Sequence, residues 1–398
     1  MNRTATWPRK LKNVLIIHEE GNSFNNPSLK CIIDLLLSKG CEIDLRYPRR
    51  HAPMPAVKGV RFLPFGNTLR RFKSVASNIL CFEPLIFLSV LVEKLILYKK
   101  YDLIIGVDRL GLIEASILNV ITKTPYIFLS FEISFASETS HRFKSLEKRA
   151  SKNVSLWIVQ DEVRAQHLQF ENQLQESNKF LLPLASASVG ALKIDRLRDQ
   201  LGIPADKKVA ITIGSVSKWS MTGLILKCIV DWPDDWVFVV HERYGRTSEL
   251  LKNEVASFKE LLGHKIYISD AASDTVDDLG SILAGVSAGL ALYEPDASLG
   301  IYGGKNLQSL GLASGKICTY LRYGVPVIIN EIGIYAEEAR RYRFGCVVDQ
   351  PKHIIDNLTE VAKVEYRNNA LKYYSNKLDF NRYSNKLFSR LLSVVDDG

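Results

Sequence analysis

The stretch Ala313-Ser314-Gly315-Lys316-Ile317-Cys318-Thr319-Tyr320-Leu321-Arg322-Tyr323-Gly324-Val325-Pro326-Val327-Ile328 carries the densest chemical signal in the sequence. A small polar pair opens a helix, Lys316 falls in its first turn, and Gly324 ends it ahead of a strand beginning near Pro326. Such a helix start presents unpaired backbone N–H groups and the positive end of the helix dipole, which suits a diphosphate, and Lys316 adds a full charge. Ordinary capping by Ser314, with Lys316 as a surface lysine, is the plainer alternative. Carboxylates and histidines at strand ends are the general-base candidates. Asp108 follows the strand signal at 103–106 and precedes a helix opening near Gly111, and Glu132 follows the strand at 127–130. His18, Glu19 and Glu138 stand behind them. Asp108 as the N-cap of its helix, or Glu132 as a buried glutamate paired to an arginine such as Arg109, would account for the same residues.

These groups need elements to hold them, and the chain supplies a repeated grammar. Apolar strand runs alternate with helical stretches at 13–17, 42–45, 102–106, 126–130 and 156–159. A small-residue stretch, Ser186-Ala187-Ser188-Val189-Gly190, reads as a hinge, after which the grammar restarts at 209–213, 236–240, 266–268, 288–292 and 326–329. The expectation is an α/β protein of two Rossmann-like domains: residues 1–185, residues 186–368, and a C-terminal helix in 369–398 packing back across the hinge. Two open parallel sheets in tandem place a ligand at the carboxyl ends of their strands, in a cleft they share.

Composition agrees with a globular protein: 398 residues, 46% apolar and 24% charged, are enough for two cored domains. Six cysteines without a Cys-x-x-Cys pair read as reduced thiols, and the basic N-terminus has no apolar core of a secretory signal, so the expected location is the cytoplasm. The net charge of +9 is N-terminal in origin, since residues 1–80 hold 14 Lys+Arg against 5 Asp+Glu while the remainder holds 38 of each. Arg46, Arg49, Arg50, Arg61, Arg70, Arg71 and Lys73 precede an apolar run at 84–92 that is too short and too charged at its flanks to span a bilayer. A basic segment beside an apolar helix suits the inner face of an anionic membrane through residues 46–98; a buried helix with a solvated basic loop is the alternative. Aromatics do not interleave with the basic residues, which argues against a nucleic-acid partner. No GxxxxGK[ST] phosphate loop occurs, which argues against a P-loop kinase or ATPase.

The 313–328 stretch resembles the C-terminal domain of GT-B glycosyltransferases, particularly glycosyltransferase family 4, which carry a small-residue–Lys, Tyr-Leu, Gly-x-Pro-Val-Ile unit at the donor phosphates. Ile211-Thr212-Ile213-Gly214-Ser215-Val216-Ser217-Lys218-Trp219 resembles the family's strand-Gly-Ser loop, and Leu292-Tyr293-Glu294-Pro295-Asp296 its sugar-binding loop. The resemblance implies a GT-B architecture, two Rossmann-like domains facing a central cleft, and transfer of a sugar from a nucleotide-diphosphate donor to a glycan or lipid-linked acceptor of a surface polysaccharide. It implies donor contacts from Gly214, Ser215, Lys218, Ser269, Glu294, Asn306, Ser314, Gly315 and Lys316, with Lys305 beside them. It implies Asp108 as the base of an inverting reaction, at the place where the family commonly puts a His or Asp; Glu132 is second from its place after a strand, with His18 behind it, and Gly21 after the first strand would let the backbone approach the phosphates or the acceptor. The family's paired glutamates eight positions apart are absent, since Tyr302 stands eight after Glu294, so retention or inversion stays open. No Asp-x-Asp pair stands at a strand end, so no metal is expected and the leaving charge would be neutralised by the helix terminus, Lys316 and Lys218. A nucleotide-sugar epimerase shares the plan, and a catalytically inert partner subunit that binds a nucleotide sugar is the reading of a different class.

Overall fold

The computed structural model describes residues 11–19, 23–48, 56–65, 75, 83–97, 99–214, 217–242, 249–269 and 278–397. The chain divides into two compact units, Met1–Pro183 with Asn381–Gly398, and Leu184–Phe380.

The first unit holds a seven-stranded sheet of β1 Asn13–Ile17, β2 Glu42–Pro48, β3 Val60–Phe65, β4 Leu103–Val107, β5 Tyr126–Leu129, β6 Leu156–Val159 and β7 Lys179–Leu181. Its order is β3-β2-β1-β4-β5-β6-β7, parallel throughout. A parallel sheet is covered on both faces, which is why its central strands are near-continuous apolar runs with every residue of β4, β5 and β6 buried. The second unit repeats the winding with β8 Lys208–Ile213, β9 Trp236–His241, β10 Ile266–Ser269, β11 Val286–Ala291, β12 Val327–Asn330 and β13 Gly345–Val348 in the order β10-β9-β8-β11-β12-β13. Successive residues of β8 enter different cores: Val209, Ile211 and Ile213 on one face, Ala210 on the other. In each unit the strand order reverses once, between β1 and β4 and between β8 and β11, and the crevice at the carboxyl ends of such a pair is where doubly wound sheets bind ligands.

Four sequence expectations change. Residues 60–65 form edge strand β3 instead of a solvated loop. The helix after β4 is Asp108–Thr122, so it opens at Asp108 and not near Gly111. The C-terminal stretch is divided: residues 369–380 stay with the second unit, while the helix Asn381–Asp397 belongs to the first, where Arg390 donates to the Ser177 carbonyl at 3.1 Å and Lys39 lies over the Phe388 ring. Arg46, counted with the basic surface, is buried on β2 and paired with buried Glu114, because a guanidinium removed from water needs a carboxylate. The helix Glu83–Leu97 buries Ile86, Ser89 and Val90 and exposes Phe87, Leu88 and Val92. Among the described residues no helix is long and apolar enough to cross a membrane. Arg49, Arg50, Arg70, Arg71 and Lys73 lie outside the described residues.

Candidate functional site

In the second unit the helix Gly315–Arg322 begins at the switch point between β8 and β11. What aims it there is Tyr320. Its ring lies over Gly289 of β11, where a Cβ would come within 2.5 Å of the ring. Its hydroxyl accepts from the Ile213 N–H at 2.9 Å and donates to the Ile211 carbonyl at 3.1 Å, serving backbone groups at the end of β8 beyond the last register pair with β11, Gly289↔Ile211. Ser314 caps the helix by accepting from the Ile317 N–H at 3.2 Å, and its hydroxyl bonds the Tyr293 hydroxyl at 2.7 Å. Tyr293, just past β11, is held by the Asn330 side chain, which accepts from its N–H at 2.9 Å and donates to its carbonyl at 2.7 Å. Trp219 stacks on Tyr293 with centroids 5.8 Å apart and planes 7° from parallel.

Lys316 stands at this helix start with its Nζ 5.5 Å from the Trp219 ring centroid and 5.8 Å from that of Tyr293. No carboxylate lies within ion-pair distance of it among the described residues. The side chain is half-buried, and desolvation of its ammonium pushes its pKa down to about 8. A cation without a carboxylate partner at a helix start has the chemistry to take an anion.

The other expected donor residues differ in their surroundings. Gly214 has φ of +95°, which a side chain would resist, and its N–H donates to the His241 carbonyl at 3.1 Å; Ser215 lies outside the described residues. Lys218 is exposed, with its Nζ 3.8 Å from Asp296. Glu294 is exposed, with its N–H donated to the Trp219 carbonyl at 2.8 Å. Gly315 has room for a side chain, its added Cβ meeting nothing nearer than Leu184 at 3.6 Å. Buried Asn306 donates to the Ile301 carbonyl at 2.7 Å and so braces its own loop, and Lys305 is exposed. The Ser269 hydroxyl is buried in a 2.9 Å hydrogen bond with His241 Nδ1. Trp219, Tyr293, Tyr320 and Asn330 were not singled out by sequence, although a Tyr-Leu pair in the helix and a Tyr-Glu pair after β11 were visible.

In the first unit Asp108 follows β4 with a left-handed φ of +53°, a conformation uncommon outside glycine, asparagine and aspartate. Two glycines let its helix press against the sheet: a Cβ on Gly106 would stand 2.6 Å from the Gly111 carbonyl oxygen, and one on Gly111 2.5 Å from that of Ile17. Asp108 Oδ1 accepts from the N–H groups of Phe131 at 2.7 Å and Glu132 at 3.0 Å, tying the end of β4 to the loop after β5. Arg164, fully buried, donates to the Phe131 carbonyl at 2.6 Å and to Gln160 at 2.8 Å, and Gln160 donates to the Ser130 carbonyl at 2.7 Å. Burial holds the Arg164 pKa below its usual value, against the charges of Glu132, Asp161 and Asp108. Asp108 and Glu132 therefore stand together on neighbouring strand ends around one guanidinium. Arg109 lies over the Phe143 ring at 4.8 Å. His18 is buried just past β1, its N–H donated to the Arg46 carbonyl at 3.1 Å; Gly21 lies outside the described residues.

No protein-family model matches the chain, and no curated protein matches it. Solved structures do. Anabaena HepE, determined in complex with UDP-glucose, superposes over 96% of this chain and 99% of its own with a TM-score of 0.67 at 14% identity. Two parallel sheets wound in this order, aligned end to end with that protein, decide the architecture. The chain has the GT-B fold. The same GT-B fold aligns with sucrose-phosphate synthase of Thermosynechococcus elongatus over 96% of this chain and 99% of that one, with a TM-score of 0.66 at 10% identity. It aligns with WaaG, a glycosyltransferase involved in lipopolysaccharide biosynthesis, over 97% and 100%, with a TM-score of 0.64 at 12% identity.

Proposed function

We propose that the chain is a glycosyltransferase that holds a nucleotide-diphosphate sugar on its second unit and transfers the sugar to a glycan or lipid-linked acceptor. The observation that carries this reading is Lys316: a desolvated ammonium without a counter-charge, at a serine-capped helix start on the β8–β11 switch point. A diphosphate supplies the missing charge, and the helix N–H groups supply its hydrogen bonds. The developing charge on the leaving diphosphate would be met by these groups without a protein-held metal. The solved structures alike in fold add support, HepE having been determined with UDP, glucose and UDP-glucose. Asp108 and Glu132 are the carboxylates assigned to the acceptor hydroxyl. The exposed Phe87, Leu88 and Val92, with the N-terminal excess of positive charge, favour an acceptor met at an anionic membrane face inside the cell, in the synthesis of a surface polysaccharide.

The test is a calorimetric screen of nucleotide sugars with and without EDTA. Saturable binding of one donor that survives EDTA supports the reading, and absence of binding by every donor removes it. A second reading, a nucleotide-sugar-binding partner subunit without transfer activity, draws on Asp108 Oδ1 being engaged by two backbone N–H groups. Donor binding without donor hydrolysis or transfer to any acceptor would select it.

A further inference from the structure

The first unit contains a cavity of about 350 Å³ whose described lining includes neither Asp108 nor Glu132. Its walls come from the segment Lys99–Tyr101 leading into β4, from Thr124 leading into β5, and from the last turns of the helix Asp108–Thr122. The cavity therefore opens at the amino-terminal edge of the sheet and reaches along it to Leu15 of β1 and Arg46 of β2. Leu15, Ile104, Leu118 and Ile121 give it an apolar lining.

The polar groups on its walls are engaged with the protein. The Thr122 hydroxyl donates to the Leu118 carbonyl at 2.7 Å, the Thr124 hydroxyl to the Tyr101 carbonyl at 3.3 Å, and the Tyr101 hydroxyl to Asp44 at 2.6 Å. Arg46 is paired with Glu114, and Lys99 with Glu42 and Asp44. Lys100 is different: it is exposed at the cavity's rim and has no ion-pair partner among the described residues. Four aliphatic side chains on its walls favour an apolar guest, and ligand pockets begin at roughly 300 Å³. A methylene and a water occupy comparable volumes, roughly 30 Å³ in the liquid, so the space fits a chain of about ten carbons. Lys100 at the mouth fits an anionic head on that chain.

We propose that this cavity binds a single-chain amphiphile, its alkyl or prenyl tail among Leu15, Ile104, Leu118 and Ile121 and its anionic head at Lys100. The site is separate from the proposed donor and base residues, and the proposal stands whether or not the chain transfers sugar. Calorimetric titration of the full chain with decyl phosphate below its micelle concentration tests it. Saturable one-to-one binding is expected, with octyl phosphate roughly tenfold weaker for the two methylenes lost and inorganic phosphate silent. Leu118→Trp, which fills the cavity, should abolish binding, and Lys100→Glu should weaken decyl phosphate while leaving decanol unchanged. Should Leu118→Trp fail to fold, Ile121→Phe and Lys100→Glu carry the same test. No saturable binding, or equal binding by a folded Leu118→Trp chain, overturns the proposal. Flotation with phosphatidylglycerol vesicles separates the sources of the ligand. Loss of flotation in Leu118→Trp assigns the tail to a bilayer lipid, and unchanged flotation with lost decyl phosphate binding assigns it to a soluble amphiphile.

Discussion

Replacing Lys316 with methionine should make the protein more stable and a poorer binder at the same time. The side chain's pKa falls from 10.5 to about 8 on folding because its ammonium is desolvated. Between those two values the unfolded chain holds more protons than the folded one, so stability rises with pH across that window; below about pH 8 both states are protonated and the whole penalty is present. At about 1.4 kcal/mol per unit, the penalty near neutral pH is at most about 3.5 kcal/mol. Methionine removes it, keeps most of the volume, and forfeits cation–π attraction to Trp219 and Tyr293 of about 0.5–2 kcal/mol. The net expectation at pH 7 is a gain of about 1–2 kcal/mol, shrinking toward zero or below by pH 10.5 as the parent sheds its proton. Denaturant unfolding at the two pH values measures it. Calorimetry on the same variant should show donor affinity reduced by roughly ten- to a hundredfold, the loss of a charged hydrogen bond of about 1.5–3 kcal/mol. A variant less stable than the parent at pH 7, or a gain that ignores pH, would refute the reasoning and make Lys316 a packing residue.

Other outcomes follow from the same geometry. Asp108→Asn keeps an acceptor for the Phe131 and Glu132 N–H groups, so thermal unfolding should shift little while turnover is lost; Asp108→Ala leaves two donors unmet and should lose about 2–4 kcal/mol. Tyr320→Phe should lose about 1–3 kcal/mol, read in denaturant unfolding, by stranding the Ile213 N–H. Gly111→Ala, whose methyl would stand 2.5 Å from the Ile17 carbonyl oxygen, should lose at least about 2 kcal/mol, and an unchanged midpoint would remove the close approach from the account.

Buried parallel strands were easy to read because both faces demand apolar residues, as at Val14–Ile17 and Val237–Val240. The strands that escaped notice are short or lie at an edge: β7 has three residues, β13 four, and β3 contains Pro64, which an edge tolerates, and an exposed Arg61 that breaks its apolar run. Gly111 looked like a helix opening because glycine punctuates local structure, whereas here it admits a neighbouring backbone. The Ser314 cap was legible since its partner is three residues away. The Tyr320 wedge was not, since Ile213 lies 107 positions from it and only the folded sheet brings the two together.

Strand β2 places two kinds of residue on its two sides. Ile43 and Leu45 are fully buried in one direction, and Asp44 and Arg46, also buried, point the other way to Arg61 and Glu114. A slip of one residue against β1 would turn both charges toward the apolar side and leave Arg61 and Glu114 facing isoleucine and leucine. Breaking a buried pair in this way is worth about 3–5 kcal/mol, more than an error in one packing contact. The charges thus work as an address: together with the alternation of Ile43 and Leu45 they mark which alignment of β2 the sheet accepts.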